Sequence, residues 1–186
     1  MAEIYEPGDD SFFLSEILKK EIRGLLKENP NLIFLEVGSG GGIILETILN
    51  CGVKRKNIFS CDINKNAVEH CRTLGFNCIN SDLFSNIKEK FDLIIFNPPY
   101  LPEDLNEPKN SSLSITGGKF GGEIINRFLR QAKFHLKKGG KIILLLSSLT
   151  KNLRDAGYNK TLLGTKKLFF ERLFIYTLVP DRKNRD

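Results

Sequence analysis

No apolar run in this sequence approaches the roughly 20 residues needed to span a bilayer, so no membrane-spanning helix is expected within it. The first ten residues, MAEIYEPGDD, are acidic and lack the basic-then-apolar order of a secretory signal. An intracellular, cytoplasmic protein is expected, with the nucleus open as well if the source is eukaryotic. The four cysteines (Cys51, Cys61, Cys71 and Cys78) form no C-x-x-C pair. They are expected to be small, reduced, buried side chains, with no metal held by this chain. The two histidines, His70 and His135, fall in helical patterns far apart, which leaves no convincing histidine acid or base. No G-x-x-x-x-G-K-[ST] loop is present, so a nucleoside triphosphate site of that type is excluded. No internal repeat or low-complexity tract is present either.

What is present suits an ordinary globular protein. The chain has 186 residues, 41% of them hydrophobic and 27% charged, which fits one domain over residues 1–186. The net charge is +6 and the pI about 9.1. Basic residues come in small groups: Lys54-Arg55-Lys56, Lys137-Lys138, Lys166-Lys167, and Arg182-Lys183 with Arg185. Solvated surface and a weak attraction to RNA, DNA or a partner bound to ribonucleoprotein explain this equally well.

Strand and helix patterns alternate along the chain. Asp9 or Asp10 can cap a helix whose Phe13, Leu14, Ile17, Leu18, Ile22, Leu25 and Leu26 keep helical spacing up to Asn29-Pro30. LIFLEV (Leu32 to Val37) is the continuous apolar run of a strand buried on both faces. A glycine loop and a helix through IILETILN follow, then strand NIFSCD, helix NKNAVEHCRTL, and strands FNCIN and FDLIIF. GGEIINRFLRQAKFHL predicts a helix closed by Lys137-Lys138-Gly139-Gly140, and KIILLLSS a fifth strand. LTKNLRDAG predicts one more helix, and TKKLFFERLFIYTLV two strand pieces that pair antiparallel. The implied architecture is α/β: a mostly parallel seven-stranded sheet, helices on both faces, and an antiparallel hairpin at its end.

Chemistry gathers at the strand ends. LEVGSGGG (Leu35 to Gly42) feeds a strand into a helix, and Gly38, Gly40 and Gly42 let backbone approach a ligand closely. The spacing is G-x-G-x-G, with Ile43 where a dinucleotide fingerprint carries its third glycine. Asp62 ends the next strand, 24 residues beyond Gly38. A carboxylate there can accept from both ribose hydroxyls, with Ile63 adjoining it, although capping a helix from Asn64 is an equally local use. Asp82 follows the third strand, placed for an adenine amino group, with Leu83 beside the ring. Together these ends favour a nucleoside without a pyrophosphate, for which S-adenosylmethionine is the candidate.

The fourth strand ends on Asn97-Pro98-Pro99-Tyr100. An amide or exocyclic amine nitrogen is a poor nucleophile, because its lone pair is delocalised. The Asn97 side-chain oxygen and the Pro98 carbonyl can each accept one of its N–H groups. Pro98 and Pro99 fix those acceptors, and Tyr100 can stack on the planar group. Such a site needs no strong base; its rate comes from positioning.

NPPY, LEVGSGGG and Asp62 resemble the class I S-adenosylmethionine-dependent methyltransferases of amino groups, which have a Rossmann-like fold. YEPGDDSFFL (Tyr5 to Leu14) narrows this. It resembles the Y-E-P-A-E-D-[ST]-F-L-L opening of the eukaryotic and archaeal HemK-type glutamine methyltransferases of translation release factors, with Gly8 and Asp9 as departures. TGGKFGGEIINRFL (Thr116 to Leu129) and KKLFFERL (Lys166 to Leu173) are similar to that branch as well. The resemblance implies that residues 1–30 cover the cofactor. It places Tyr5, Pro7 and Ser11 at the methionine part, Glu36 and Gly38 at the amino end, and Asp62 at the ribose, with Asn97 also beside the cofactor. It implies methylation of the glutamine of a Gly-Gly-Gln motif in a class 1 release factor, in a heterodimer with a small zinc-binding activator protein. Alternatives are an amino-methyltransferase of adenine or guanine in DNA or RNA, a protein lysine methyltransferase, and a silent cofactor-binding scaffold. The strand Phe76 to Asn80 is expected at a sheet edge without lysine or proline, open to pairing with the activator. Cys78→Lys would then weaken that pairing if its side chain faces the partner.

Overall fold

The computed structural model describes residues 4–101 and 117–181. Helix α1 (Asp9–Glu28) is followed by β1 (Phe34–Val37), α2 (Ile43–Asn50), β2 (Ile58–Asp62), α3 (Lys65–Thr73), β3 (Asn77–Asn80) and β4 (Phe91–Phe96). Then come α4 (Glu123–Ala132), β5 (Leu136–Ser147), β6 (Tyr158–Lys167) and β7 (Arg172–Pro180). The seven strands form one sheet in the order β3-β2-β1-β4-β5-β7-β6. The first five run parallel, and β7 pairs antiparallel with both β5 and β6. Two successive reversals therefore leave β6 pointing the same way as β5, so its C-terminal end reaches the edge where the parallel strands end.

Continuous apolar strands arise because both faces are covered. In β4, Leu93 and Ile95 join a core with Leu14 and Leu18 of α1 and Ile44 and Leu45 of α2. Phe91, Ile94 and Phe96 join a second core with Ile125 and Phe128 of α4. Fully burying each such side chain contributes about 1.5–3 kcal/mol. Cys61, Cys71 and Cys78 are buried free thiols and Cys51 is partly buried.

Three local expectations are corrected. The helix expected over 149–157 is not formed. Its polar groups bond sideways instead: Lys151 N–H to the Phe120 carbonyl, Asn126 Nδ2 to the Asn152 carbonyl, and Arg154 N–H to Asn126 Oδ1. Asn152 has φ +57°, outside helical range. The segment Lys137-Lys138-Gly139-Gly140 does not close a helix; α4 ends at Ala132 and these residues belong to β5. Leu136 anchors there in the second core, and a register irregularity against β4 absorbs the glycine pair. Finally, β6 starts at Tyr158, well before the TKKL stretch, since a solvent-facing edge strand carries lysine and asparagine and gives little apolar signal.

Helix α1 is capped by Gly8, with no side-chain cap from Asp9 or Asp10. Lys166 of β6 reaches across to Asp9, at 2.7 Å. Asp10 is directed elsewhere, and that choice shapes the site.

Candidate active site

The C-terminal ends of β1, β2 and β4 and the start of α1 enclose one crevice. Its walls include Tyr5, Pro7, Asp10, Ser11, Glu36, Gly38, Gly40, Asp62, Ile63, Asp82, Leu83, and Asn97 through Tyr100. Sequence reasoning named all of these except Asp10. Gly42 is not part of the wall. It caps α2 with φ +83°, and a Cβ there would meet Leu74 at 3.2 Å, so its glycine serves the turn.

The glycine loop is held by the neighbouring strand. Gly38 and Ser39 donate backbone N–H groups to the Cys61 carbonyl, and Gly40 donates to Asp62 Oδ2 at 2.9 Å. Asp62 Oδ1 accepts from the Asn64 backbone at 2.8 Å, while Asn64 itself caps α3. Burial raises the Asp62 pKa, and the backbone donors of Gly40, Asn64 and Ile63 oppose that shift. Each carboxylate oxygen keeps a further lone pair to offer.

Glu36 is the anomaly of the crevice. It is fully buried in β1 and its Oε2 has no partner among the described residues. Burial raises its pKa well above the ordinary carboxylate range, and the nearby Asp62 and Cys78 add to the rise. A buried carboxylate facing a cavity is costly unless a cation or a donor meets it. A ligand with a cationic amino end at Glu36 and paired hydroxyls at Asp62 fits these two demands, and S-adenosylmethionine has both.

The corner after β4 shows how Asn97 is oriented. Its Nδ2 donates to Asp10 Oδ2 at 3.0 Å. The same carboxylate accepts from the Tyr5 hydroxyl at 2.9 and 3.0 Å and from the Ser11 backbone at 2.7 Å. A carboxylate only accepts, so the Asn97 amide must turn its nitrogen toward Asp10 and its oxygen the other way. That oxygen, Oδ1, is buried and has no partner among the described residues. In sequence Asp10 looks like a helix cap, and only a contact spanning 87 residues gives it this task. The nearest signal was its place beside Ser11 in the YEPGDDS opening.

Tyr100 is half-buried, its carbonyl accepting from Thr150 Oγ1 at 3.2 Å. Burial, with Asp10 and Glu171 nearby, raises its hydroxyl pKa. Asp82 lines the crevice but is ion-paired with Arg127 at 2.7 Å, so one oxygen is already engaged. Leu83 is buried with φ +50°.

The basic groups do not form one surface. Lys54 to Lys56 precede β2, and Lys137-Lys138 open β5. Both groups thus sit at the sheet edge opposite the crevice, with Lys137 ion-paired to Asp92. Lys166 and Lys167 end β6 on the crevice side, and Lys166 is ion-paired with Asp9. Arg182, Lys183 and Arg185 lie outside the described residues, as do residues 102–116.

Residues 13–162 match the family model described as the methyltransferase small domain. The chain belongs to that family. A Methanocaldococcus jannaschii protein, provisionally named a protein N5-glutamine methyltransferase, is 36% identical over 93% of this chain and 90% of its own. The Schizosaccharomyces pombe eRF1 methyltransferase catalytic subunit mtq2 is 28% identical, covering 86% of this methyltransferase and 83% of that protein. Among solved structures, the E. cuniculi Mtq2–Trm112 complex, responsible for methylating the termination factor eRF1, superposes with a TM-score of 0.73. It has 28% identity over 96% of this chain and 99% of that one. A Thermus thermophilus 16S rRNA methyltransferase reaches a TM-score of 0.60 at 13% identity, which is a likeness of fold alone.

Proposed function

We propose that this methyltransferase moves a methyl group from S-adenosylmethionine to the side-chain amide nitrogen of the glutamine in the Gly-Gly-Gln motif of a class 1 translation release factor. The observation that carries this reading is Asn97 Oδ1: buried, without a partner among the described residues, and turned away from the Asp10 carboxylate that holds its amide. An acceptor site for a primary amide needs two fixed oxygens for its two N–H groups, and the Pro98 carbonyl supplies the second. The bound cofactor supplies an electrophilic methyl group on a sulfonium, leaving as the thioether S-adenosylhomocysteine.

The chain's own residues do the rest. Glu36 faces the cationic amino end, Asp62 accepts from the ribose hydroxyls, and Asp82 and Leu83 border the base. Tyr5, Pro7 and Ser11 close over the methionine part from the N-terminal side. Asn97 and Pro98 draw on both amide hydrogens, which localises the nitrogen lone pair and aims it along the methyl–sulfur axis. The methylated nitrogen then loses one proton to water. Rate arises from orientation and preorganised acceptors, which are worth roughly 100-fold or more per acceptor.

The same reading includes a partner. Strand β3 lies at an edge of the sheet, its backbone unpaired on one side among the described residues, and a small zinc-binding activator adding a strand there would cover it. The likeness to one chain of a heterodimeric complex supports this. Cys78, however, is only 1% exposed and packs in the first core, so a charge placed there would disrupt the fold and would not probe the partner.

Nucleic acid as substrate is disfavoured by the scatter of basic groups over opposite edges of the sheet. The test is a methyl-transfer assay on release factor and on RNA and DNA in parallel, with the activator present and the product mapped by mass. Methylglutamine in the Gly-Gly-Gln peptide is expected, and Asn97→Ala should cut turnover at least about 100-fold. Labelled nucleic acid, or turnover surviving Asn97→Ala, would overturn the reading.

A further inference from the structure

Phe169 and Phe170 are 97% and 91% exposed. They occupy the turn between β6 and β7, ring centroids 6.0 Å apart. Side chains this apolar and this exposed contribute nothing to the fold, and paired on one turn they mark a contact surface. The turn is also hydrogen-bonded at its base. Leu168 N–H bonds the Glu171 carbonyl at 2.9 Å, Ser148 N–H bonds the Arg172 carbonyl at 2.8 Å, and Ser147 donates its hydroxyl to the Glu171 carboxylate.

Its position is what gives the pair a use. Because β6 runs parallel to β4 and β5, the turn projects from the edge where the crevice opens. Measured across the sheet, its two strands lie two and three spacings from β4, or about 10–14 Å. Ser147 leads to Thr150, whose hydroxyl donates to the Tyr100 carbonyl, so one hydrogen-bonded strip joins the turn to the acceptor corner. A protein bound through a standard interface covers about 800 Å² on each partner, a disc of roughly 16 Å radius. A folded protein that inserts a glutamine at Asn97 through an interface of that extent is brought alongside this turn. The activator does not compete for it, since β3 is at the opposite edge of the sheet.

We infer that Phe169 and Phe170 are the anchor by which this enzyme holds the body of its protein substrate, outside the methylated loop. The inference rests on the proposed protein-directed reaction. The matching surface is an apolar recess with acidic side chains opposite the exposed Lys167 and Arg172 that flank the pair. Exposed rings can also stack on bases, but here Asp9 and Glu171 stand beside the turn and break up any basic track for a phosphate backbone.

The experiment uses the full chain with its activator and the double variant Phe169→Ser/Phe170→Ser. Two substrates are compared, the intact release factor and a short Gly-Gly-Gln peptide cut from it. A fall of tenfold or more in kcat/KM for the intact factor, with the peptide unchanged, is the expected result. No change for either, an equal fall for both, or loss of the activator complex in the variant overturns the inference. A second readout is independent of turnover: the photo-crosslinker p-benzoylphenylalanine, placed at position 170, should form an adduct with the release factor. If the wild-type enzyme fails to methylate the factor, the proposed function falls on its own. The adduct then decides the anchor, and cross-linking to RNA, to a second copy of this chain, or to nothing refutes it.

Discussion

Asp10→Asn changes one oxygen into an NH₂ group and leaves shape and volume almost untouched. The structure gives the wild-type carboxylate four donors: the Asn97 amide, the Tyr5 hydroxyl, and the Ser11 backbone and hydroxyl. Asparagine at this position can still accept through one oxygen, but its NH₂ faces another donor. If that NH₂ turns toward Asn97, the Asn97 amide must flip, and the acceptor corner then presents N–H groups to the N–H groups of its substrate. If it turns away, the bond to Asn97 persists without charge assistance. A hydrogen bond to a charged group contributes about 1.5–3 kcal/mol, and each 1.36 kcal/mol in the barrier is tenfold in rate. The expected loss in kcat is therefore about 10- to 150-fold, with cofactor affinity by titration calorimetry changed only a few-fold. Tyr5→Phe is the control, since it removes a donor to Asp10 but leaves the Asn97 bond in place, and it should cost much less in kcat. A folded Asp10→Asn protein with kcat within twofold of wild type refutes the reasoning. So does a loss that resides wholly in cofactor binding.

Glu36→Gln should raise the apo protein's melting temperature at pH 8 while weakening cofactor binding. The sign follows from the raised folded-state pKa. An acid held more protonated when folded contributes stability at low pH, and that contribution is lost as pH climbs from the ordinary carboxylate range toward the raised value. Asp62, shifted the same way, adds to the trend. A cationic ligand end reverses the preference, so wild-type cofactor affinity should rise with pH and the variant's should rise less; identical pH profiles would remove Glu36 from the site. Gly117→Ala should slow turnover by up to about 100-fold, as for a misplacement on the order of 1 Å. A Cβ there would lie 2.4 Å from the Pro99 carbonyl and 2.3 Å from that of Gly121. Melting curves and kcat measured together check this, and unchanged turnover would mean the corner tolerates displacement. Co-expression with the activator should raise soluble yield and activity. Size-exclusion chromatography that shows a monodisperse, fully active monomer without it would exclude the open β3 edge as the reason for a partner.

Most of the architecture was legible because buried parallel strands and amphipathic helices leave strong periodic signals. FDLIIF, IILETILN and the long first helix fall within the expected bounds for that reason. The elements misread are those whose hydrogen bonds or packing partners are remote. Residues 149–157 look helical by spacing, but Asn126 and Phe120 capture their backbone. The first half of β6 lacks an apolar pattern because it faces solvent at an edge.

The site divides along the same line. Glycines at a strand-to-helix turn, an acid ending the next strand and a proline-locked corner are local features, and their chemistry could be read from residue types and spacing alone. Tertiary structure decided which of them share one crevice. It removed Gly42 from the wall, tied Asp82 to Arg127, buried Cys78, and left Glu36 Oε2 and Asn97 Oδ1 without partners among the described residues. It also turned Asp10 from a prospective cap into the group that sets the Asn97 amide. Periodicity records what each residue does for its own segment. An acceptor's orientation depends on a donor–acceptor match between segments far apart in the chain, which no local pattern encodes.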